Sequence, residues 1–454
     1  MGRGQYRYSD QHPWGDATSE KSGVGMTIKR GFRIMASMAM ASAALAMGAF
    51  TMSGSAEAAS SAPGVTAHSI TVGTISTQTG ELAANFASLI YGEKAYYDYI
   101  NAKGGINGRK IDYKYALDDG GSPSTFTQLA STLVNQDHVF AVTGVATAFF
   151  TPSIFVEAHI PTYGYDVTNN WAGPKNLFAA GGSVSYYPAE APALAYVADK
   201  THATKIALVA YNFPSSAQAC QDGAFGMAAA GYDIAYTDFK INYPGTTVAT
   251  DVQRMKQDGV NFVASCMDVD GNITMARAIK QYGLKTAQLW LSGNDQTTLN
   301  QNQSLMQGIY FDTFHVPFIA PTSEYPGLKL YETEMKKYEP KYVDDEVAIQ
   351  GWESASLFAQ GVQMVGKNLT QAAVIKADNS LTAFTAGGLT TPTNWKSAGH
   401  SGHAPPYCGA YIKVVGDHYE PALDTTKTSV YVCFGSVSAK HPKPEPAPAG
   451  TPTG

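Results

Sequence analysis

The chain has 454 residues, 44% of them hydrophobic, and sets 31 Lys and Arg against 37 Asp and Glu for a net charge of −6 at pH 7. That balance excludes a nucleic-acid binder, which needs a basic face. The length exceeds the roughly 250–300 residues that one hydrophobic core can organise, so two cores are expected.

The first 58 residues read as a leader. Lys29, Arg30 and Arg33 make a basic segment, residues 34–52 are an apolar alanine-rich run, and Ala56-Glu57-Ala58 is a small-residue cleavage signal. This is the plan of a secretory signal peptide; a membrane span is the alternative. Residues 1–25 are polar and aperiodic, so translation starting at Met26 fits as well as Met1. No cysteine stands at the cleavage point. The expectation is an exported protein of the periplasm or cell envelope, without a lipid anchor.

From Ser69 onward the pattern is β-α-β-α-β. Residues 70–75 form a strand, and a helix ends at Gly104-Gly105, where glycine enters the left-handed conformation of a helix cap. Asn107-Gly108 makes a tight turn. Residues 111–116 alternate apolar and polar, residues 125–136 are helical, and residues 139–143 are a short buried strand. Such an opening belongs to a doubly wound sheet. Further strands are expected at 160–163 and 177–180. The pattern then restarts with strands at 205–210, 234–239, 260–265, 288–291 and 309–312, the first four separated by helices. Gly283 caps the clearest of these, residues 273–282. Helices at 327–338 and 347–365 return to cover the first lobe. Residues 437–454, rich in proline and glycine, are expected to be a disordered tail.

Four cysteines in an exported chain favour disulfides. Of the three possible pairings, strand positions favour Cys220–Cys266 and Cys408–Cys433; four reduced, buried thiols are the alternative. No nucleophile elbow, zinc-protease motif, phosphate loop or dinucleotide fingerprint is present. The spacing of His400, His403 and Cys408 could suit zinc, but it lies in a Gly/Pro loop. The reading is of no enzyme, cofactor or metal.

The segments INAKGGINGRK (100–110), LDDGGSP (117–123), LVNQDHVFAVTG (133–144), ITVGTISTQTG (70–80), ARAIKQYGL (276–284) and GLTTPTNW (388–395) resemble the type I solute-binding proteins of ABC transporters, in the branch typified by Leu/Ile/Val-binding proteins. The resemblance implies two doubly wound α/β lobes joined by a three-stranded hinge. Lobe 1 would comprise residues 59–182 and 318–400, and lobe 2 residues 183–317 and 401–436. A small solute would lie in the cleft between them. Its partner would be a membrane ABC permease, and the protein would be a monomer. A ligand-sensing receptor of the same fold, acting on a signalling partner, is the alternative role.

Candidate contacts follow from matching loops. In the family, the loop after the third strand binds the ligand carboxylate, and here Thr147 falls at that place with Ala146 beside it. The loop holding Tyr165, Asp166 and Thr168 matches the place that binds the amino group, with Asp166 as its counter-ion. Thr79 lies in the loop after the first strand. On the second lobe, Ser215 and Ser216 stand where relatives usually place a tyrosine, Asp295 stands at the place of a family acid, and Asp268 is a surplus carboxylate. A helix-capping hydroxyl serves equally for Thr147, and plain loop aspartates for Asp166 and Asp268. The implied solute is an amino acid or related amide. The aromatic residues Phe149, Phe150 and Tyr165 suggest a small aromatic or organic acid as the alternative.

Overall fold

The structure is a computed structural model that describes residues 62–179, 191–245, 247–397, 399–400, 407–422, 429–435 and 441–453. The leader, the lobe boundary expected at 182–183, His403 and residues 437–440 lie outside the described residues.

Lobe 1 is built on a parallel sheet of five strands in the order β2-β1-β3-β4-β5: β1 (Ser69–Ser76), β2 (Lys110–Asp118), β3 (Ala141–Val145), β4 (Thr162–Gly164) and β5 (Leu177–Ala179). Helices α1 (Leu89–Ala102), α2 (Pro123–Asn135) and the short α3 (Ser153–Glu157) supply its crossovers. The strand order reverses beside β1, as in doubly wound sheets. Every side chain of β3 is buried, which suits a central strand covered on both faces.

Lobe 2 carries α4 (Ala191–Lys200), α5 (Pro214–Ala229), α6 (Ala249–Asp258), α7 (Val269–Tyr282) and α8 (Gln296–Met306). Its strands are β6 (Lys205–Tyr211), β7 (Asp233–Ile241), β8 (Phe262–Ser265), β9 (Ala287–Trp290), β10 (Tyr310–Thr313), β11 (Tyr407–Val415), β12 (His418–Pro421) and β13 (Tyr431–Phe434). The sheet runs β12-β11-β10-β9-β8-β6-β7, with β13 paired to β11. β6 to β10 pair in parallel, whereas β11 pairs antiparallel with β10, β12 and β13. α9 (Pro326–Tyr338), α10 (Ala348–Val365) and α11 (Gln371–Asp378) return to lobe 1, where they share its core with Val72, Tyr97, Phe140 and Tyr163.

α1 and α10 approach each other backbone to backbone. A Cβ on Gly92 would lie 1.7 Å from the Ala348 carbonyl oxygen, and one on Gly351 would lie 2.0 Å from that of Leu89. Only hydrogen fits between these backbones. The crossing carries the first turns of both helices to the sheet's C-terminal edge, where Ser88 Oγ donates to Asp345 Oδ1 at 2.7 Å.

Both expected disulfides are present. Cys220 is joined to Cys266 with Cα atoms 5.8 Å apart, and Cys408 to Cys433 with Cα atoms 4.0 Å apart. The second pair sits directly opposite in the β11–β13 ladder. The expectation of a disordered tail does not hold for residues 441–453. His441 Nδ1 lies 2.9 Å from Asp199 Oδ2, the Glu445 amide donates to the Cys433 carbonyl at 2.7 Å, and Ser429 Oγ donates to the Pro452 carbonyl at 3.1 Å. Proline is tolerated on a sheet edge, where its missing N–H faces away from the ladder. The composition that suggests disorder also suits a segment laid along β13.

Glu93, Asp378, Glu353 and Asp312 are among the carboxyl groups buried in the two lobes. Glu93 accepts from Thr74 at 2.6 Å and from Thr143. Asp378 accepts from the Tyr163 hydroxyl at 2.6 Å. One oxygen of Glu353 and one of Asp312 have no hydrogen-bond partner among the described residues. Burial pushes Glu93 up to about 7, and Glu353 and Asp312 up to about 8. An acid whose folded-state pKa is raised stabilises the fold fully below its unfolded value and loses that contribution as pH rises through the folded value. The melting temperature is therefore expected to fall between about pH 5 and about pH 8.5. Glu353→Gln, neutral at every pH, should flatten that fall in a thermal scan across pH.

Candidate functional site

The C-terminal ends of parallel strands leave loops whose amides and side chains meet beyond the sheet, which makes that edge the natural binding edge. In lobe 1, Ala146 continues β3, its amide donating to Ile75 and its carbonyl accepting from Thr77, both at 3.0 Å. Thr147 follows, 1% exposed. Its Oγ1 accepts from the Phe149 amide at 3.2 Å and lies 3.2 Å from the Thr77 hydroxyl, which donates to Asp119 Oδ1 at 2.6 Å. The Thr147 hydroxyl thus holds its own turn and ends a chain of three polar side chains. Thr79 is exposed and donates through its hydroxyl to Asp118 Oδ2; the Asp118 Oδ1 atom accepts from the amides of Gln78, Thr79 and Gly120.

Tyr165 is anchored by its amide on the Val145 carbonyl at 2.9 Å, and its ring packs 6.3 Å from Phe86. Phe86, Leu89, Ala146, Ala148, Val167 and Val347 complete an apolar patch on this wall. Burial first, then the charges of Glu346 and Asp166, push the Tyr165 hydroxyl above its ordinary value. Thr168 is buried just beyond, and its hydroxyl has no partner among the described residues.

Lobe 2 presents an aromatic group. Tyr211 ends β6, with Phe213 stacked on it at 5.4 Å and Tyr243 edge-on at 5.1 Å. The Tyr211 hydroxyl donates to Asp268 Oδ1 at 2.6 Å, and that oxygen also accepts from the Gly271 amide at 2.9 Å, capping α7. Asp268 Oδ2 accepts from Asn85 Nδ2 of lobe 1 at 3.0 Å. Asp295 caps α8 by accepting from the Thr298 amide at 2.8 Å. Ser216 is buried, donates to the Cys266 carbonyl at 2.6 Å and accepts from the Tyr211 amide at 2.9 Å; Ser215 is half-buried in the first turn of α5.

The structure brings Ala146 and Tyr165 into one apolar patch with Phe86, and joins Asp268 to Tyr211 within lobe 2 and to Asn85 of lobe 1. Ser216 and Asp295 have their side chains engaged within lobe 2. Sequence reasoning missed Asn85, Phe86, Tyr211, Tyr243, Asn294 and Glu346. Tyr211 and Tyr243 stand at or just beyond the ends of β6 and β7, a position that the strand-end rule singles out. Glu346 follows β9 by more than fifty residues, and no local pattern marks it. Its burial pushes its carboxyl up to about 8, against hydrogen bonds from the Gly293 and Asn294 amides.

Asp268→Ala removes the α7 cap together with the Tyr211 and Asn85 contacts. It should cost about 1–2 kcal/mol in urea denaturation, and Asp268→Asn, which keeps an acceptor, should cost less.

A model of the periplasmic binding protein family matches residues 69–413. No curated protein sequence matches the chain. Among solved structures, a fatty acid ABC transporter substrate-binding protein from Thermomonospora curvata is 19% identical, covering 80% of this chain and 94% of its own, with a TM-score of 0.67. A branched-chain amino acid ABC transporter protein from Thermus thermophilus with bound valine is 16% identical, covering 80% and 97%, with a TM-score of 0.66. A solute-binding protein of an ABC transporter from R. palustris in complex with benzoate is 15% identical, covering 78% and 95%, with a TM-score of 0.61. At these identities the likeness is one of fold.

Proposed function

The chain belongs to the periplasmic binding protein family, and we propose that it captures a small polar solute bearing an ammonium group, an amino acid or a related amide, between its lobes. In this reading the protein is exported to the periplasm and hands the solute to a membrane ABC permease. It performs no chemistry on the solute.

The observation that carries the proposal is the pairing of rings with carboxylates on both walls. The Tyr211 hydroxyl donates to Asp268 Oδ1 at 2.6 Å with Tyr243 edge-on to the Tyr211 ring at 5.1 Å, and on the other wall Tyr165, next to Asp166 in the chain, packs 6.3 Å from Phe86. An apolar wall next to carboxylates suits a cation with a carbon skeleton. The Thr147 hydroxyl would be the donor for a carboxylate at the other end of such a solute. Hydrogen bonds to a charged group are worth about 1.5–3 kcal/mol each, enough for a few to set selectivity.

A second reading, a small aromatic or organic acid, is favoured by Phe86, Tyr165 and Phe213 and by the benzoate bound to the R. palustris protein. The acidic walls weigh against it, since an anion there meets like charge. A thermal-shift screen of amino acids, amides, polyamines and aromatic acids separates the readings, because a ligand held only by the folded state raises its melting temperature. Amino acids or amides should shift it and benzoate-like acids should not. If no small molecule does, the capture reading fails. Reconstitution with the permease or sensor encoded beside it would distinguish delivery from signalling.

Thr147→Ala should weaken a carboxylate-bearing solute by roughly tenfold or more. Thr147→Ser, which preserves the hydroxyl and the turn at Phe149, should bind normally by calorimetry. Equal affinity in both variants would remove Thr147 from the site.

A further inference from the structure

Among the described residues, three sets of contacts join the lobes directly at the cleft. Glu346, just before α10 in lobe 1, accepts from the Gly293 amide at 2.8 Å through Oε1, and from Asn294 Nδ2 at 2.9 Å and the Asn294 amide at 3.4 Å through Oε2. Asp268 of lobe 2 accepts from Asn85 Nδ2 of lobe 1 at 3.0 Å. The Tyr243 hydroxyl of lobe 2 donates to the Glu81 carbonyl of lobe 1.

The first two sets mirror each other: each lobe offers one carboxylate and receives an asparagine amide from the other. Both partners are fixed before they meet. On lobe 1, Asp345 Oδ1 accepts from the Val347 and Ala348 amides at 2.9 and 2.8 Å, which sets the first turn of α10 and hence the direction of Glu346. On lobe 2, Gly293 adopts a φ of 96°, in the left-handed region, and the Tyr419 hydroxyl donates to the carbonyls of Gly293 and Asp295 at 2.9 and 3.0 Å. That anchors the loop with its amides facing Glu346. Asp268 is held through Oδ1 by Tyr211 and Gly271, which leaves Oδ2 for Asn85.

We infer that Glu346 with Asn294, and Asp268 with Asn85, form a reciprocal carboxylate–amide clasp that holds the lobes closed and slows release of the solute. Glu346 is then a positioning residue, acting on the balance between open and closed forms. Groups that touch only when the lobes meet stabilise the closed form alone, so their loss shifts that balance without unfolding either lobe. In binding kinetics the effect falls on dissociation, because the clasp forms after the solute has entered.

The inference rests on the reading of two lobes hinged about a solute, but its test needs no solute, so the two can fail separately. The mature chain is compared with Glu346→Gln, Asn294→Ala and Asn85→Ala by hydrogen exchange, small-angle scattering and thermal melting, all without added ligand. In Glu346→Gln and Asn294→Ala, the peptide spanning Gly293 and Asn294 should exchange roughly threefold faster or more. The radius of gyration should rise in all three variants while the melting temperature stays near that of the parent. Asn294→Ala and Asn85→Ala remove the same contacts from the partner side, so the test survives if Glu346→Gln fails to fold. Unchanged exchange at Gly293 and unchanged scattering in the asparagine variants would overturn the clasp. So would a change confined to Glu346→Gln, since that would make Glu346 a solute contact or a local support.

Discussion

The contact between the backbones of α1 and α10 sets most of what lobe 1 can do. Gly92 and Gly351 leave no room for a methyl group at the crossing, and overpacking of this kind costs about 1–3 kcal/mol when neighbours can shift. Here the neighbours are carbonyl oxygens of the opposing helix, which move only if the helices part. The same approach buries Glu93 against Thr74 and Thr143. It leaves no space at Gly144, where a Cβ would lie 2.1 Å from Glu93 Oε2. Helix spacing, a buried acid and a bare central strand are thus one arrangement. Its outcome at the cleft is that the starts of both helices, with Ser88, Leu89, Asp345 and Glu346, stand together at the strand ends.

Much of this was legible in the chain. The alternation of strand and helix, with Gly283 as an α7 cap in the left-handed conformation, exposed two α/β lobes, since periodicity is a local property. The β11–β13 pairing of Cys408 with Cys433 also follows from two short apolar runs. β12 and α11 were not read, being short and weakly patterned. The tail misled because proline content signals missing amides, and a sheet edge needs few of them. The site was legible only where it coincides with strand ends. Thr147 and Asp166 follow from the order of loops as candidates, whereas the aromatic group of lobe 2 centres on Tyr211, a few positions before Ser215 and Ser216. Glu346 depends on the helix crossing, a tertiary fact that no window of sequence contains.

Counting acids at the strand ends overstates the charge available to a solute. Asp118 is occupied by the Thr79 hydroxyl and three amides, and Asp295 by the start of α8. These carboxylates fold their own loops. Asp268 divides its two oxygens between its own lobe and the other, which makes the geometry of α7 part of the interlobe contact. The electrostatics of the cleft therefore come from few groups, each tied to a helix start. In the interior the chain accepts acids such as Glu353 and Asp378 without cations beside them, a choice that couples its stability to proton concentration.

The disulfide between Cys220 and Cys266 sits immediately behind the binding edge. Cys266 precedes Asp268 by two residues and offers its carbonyl to Ser216, whose oxygen in turn fixes the Tyr211 amide. Sulfur oxidation therefore fastens α5, the helix that follows Tyr211, to the loop that carries Asp268. In a reducing cytosol those thiols stay apart, and the aromatic wall of lobe 2 lacks its covalent backing. The backing of Tyr211 and Asp268 is therefore set by the redox state of the compartment that holds the chain.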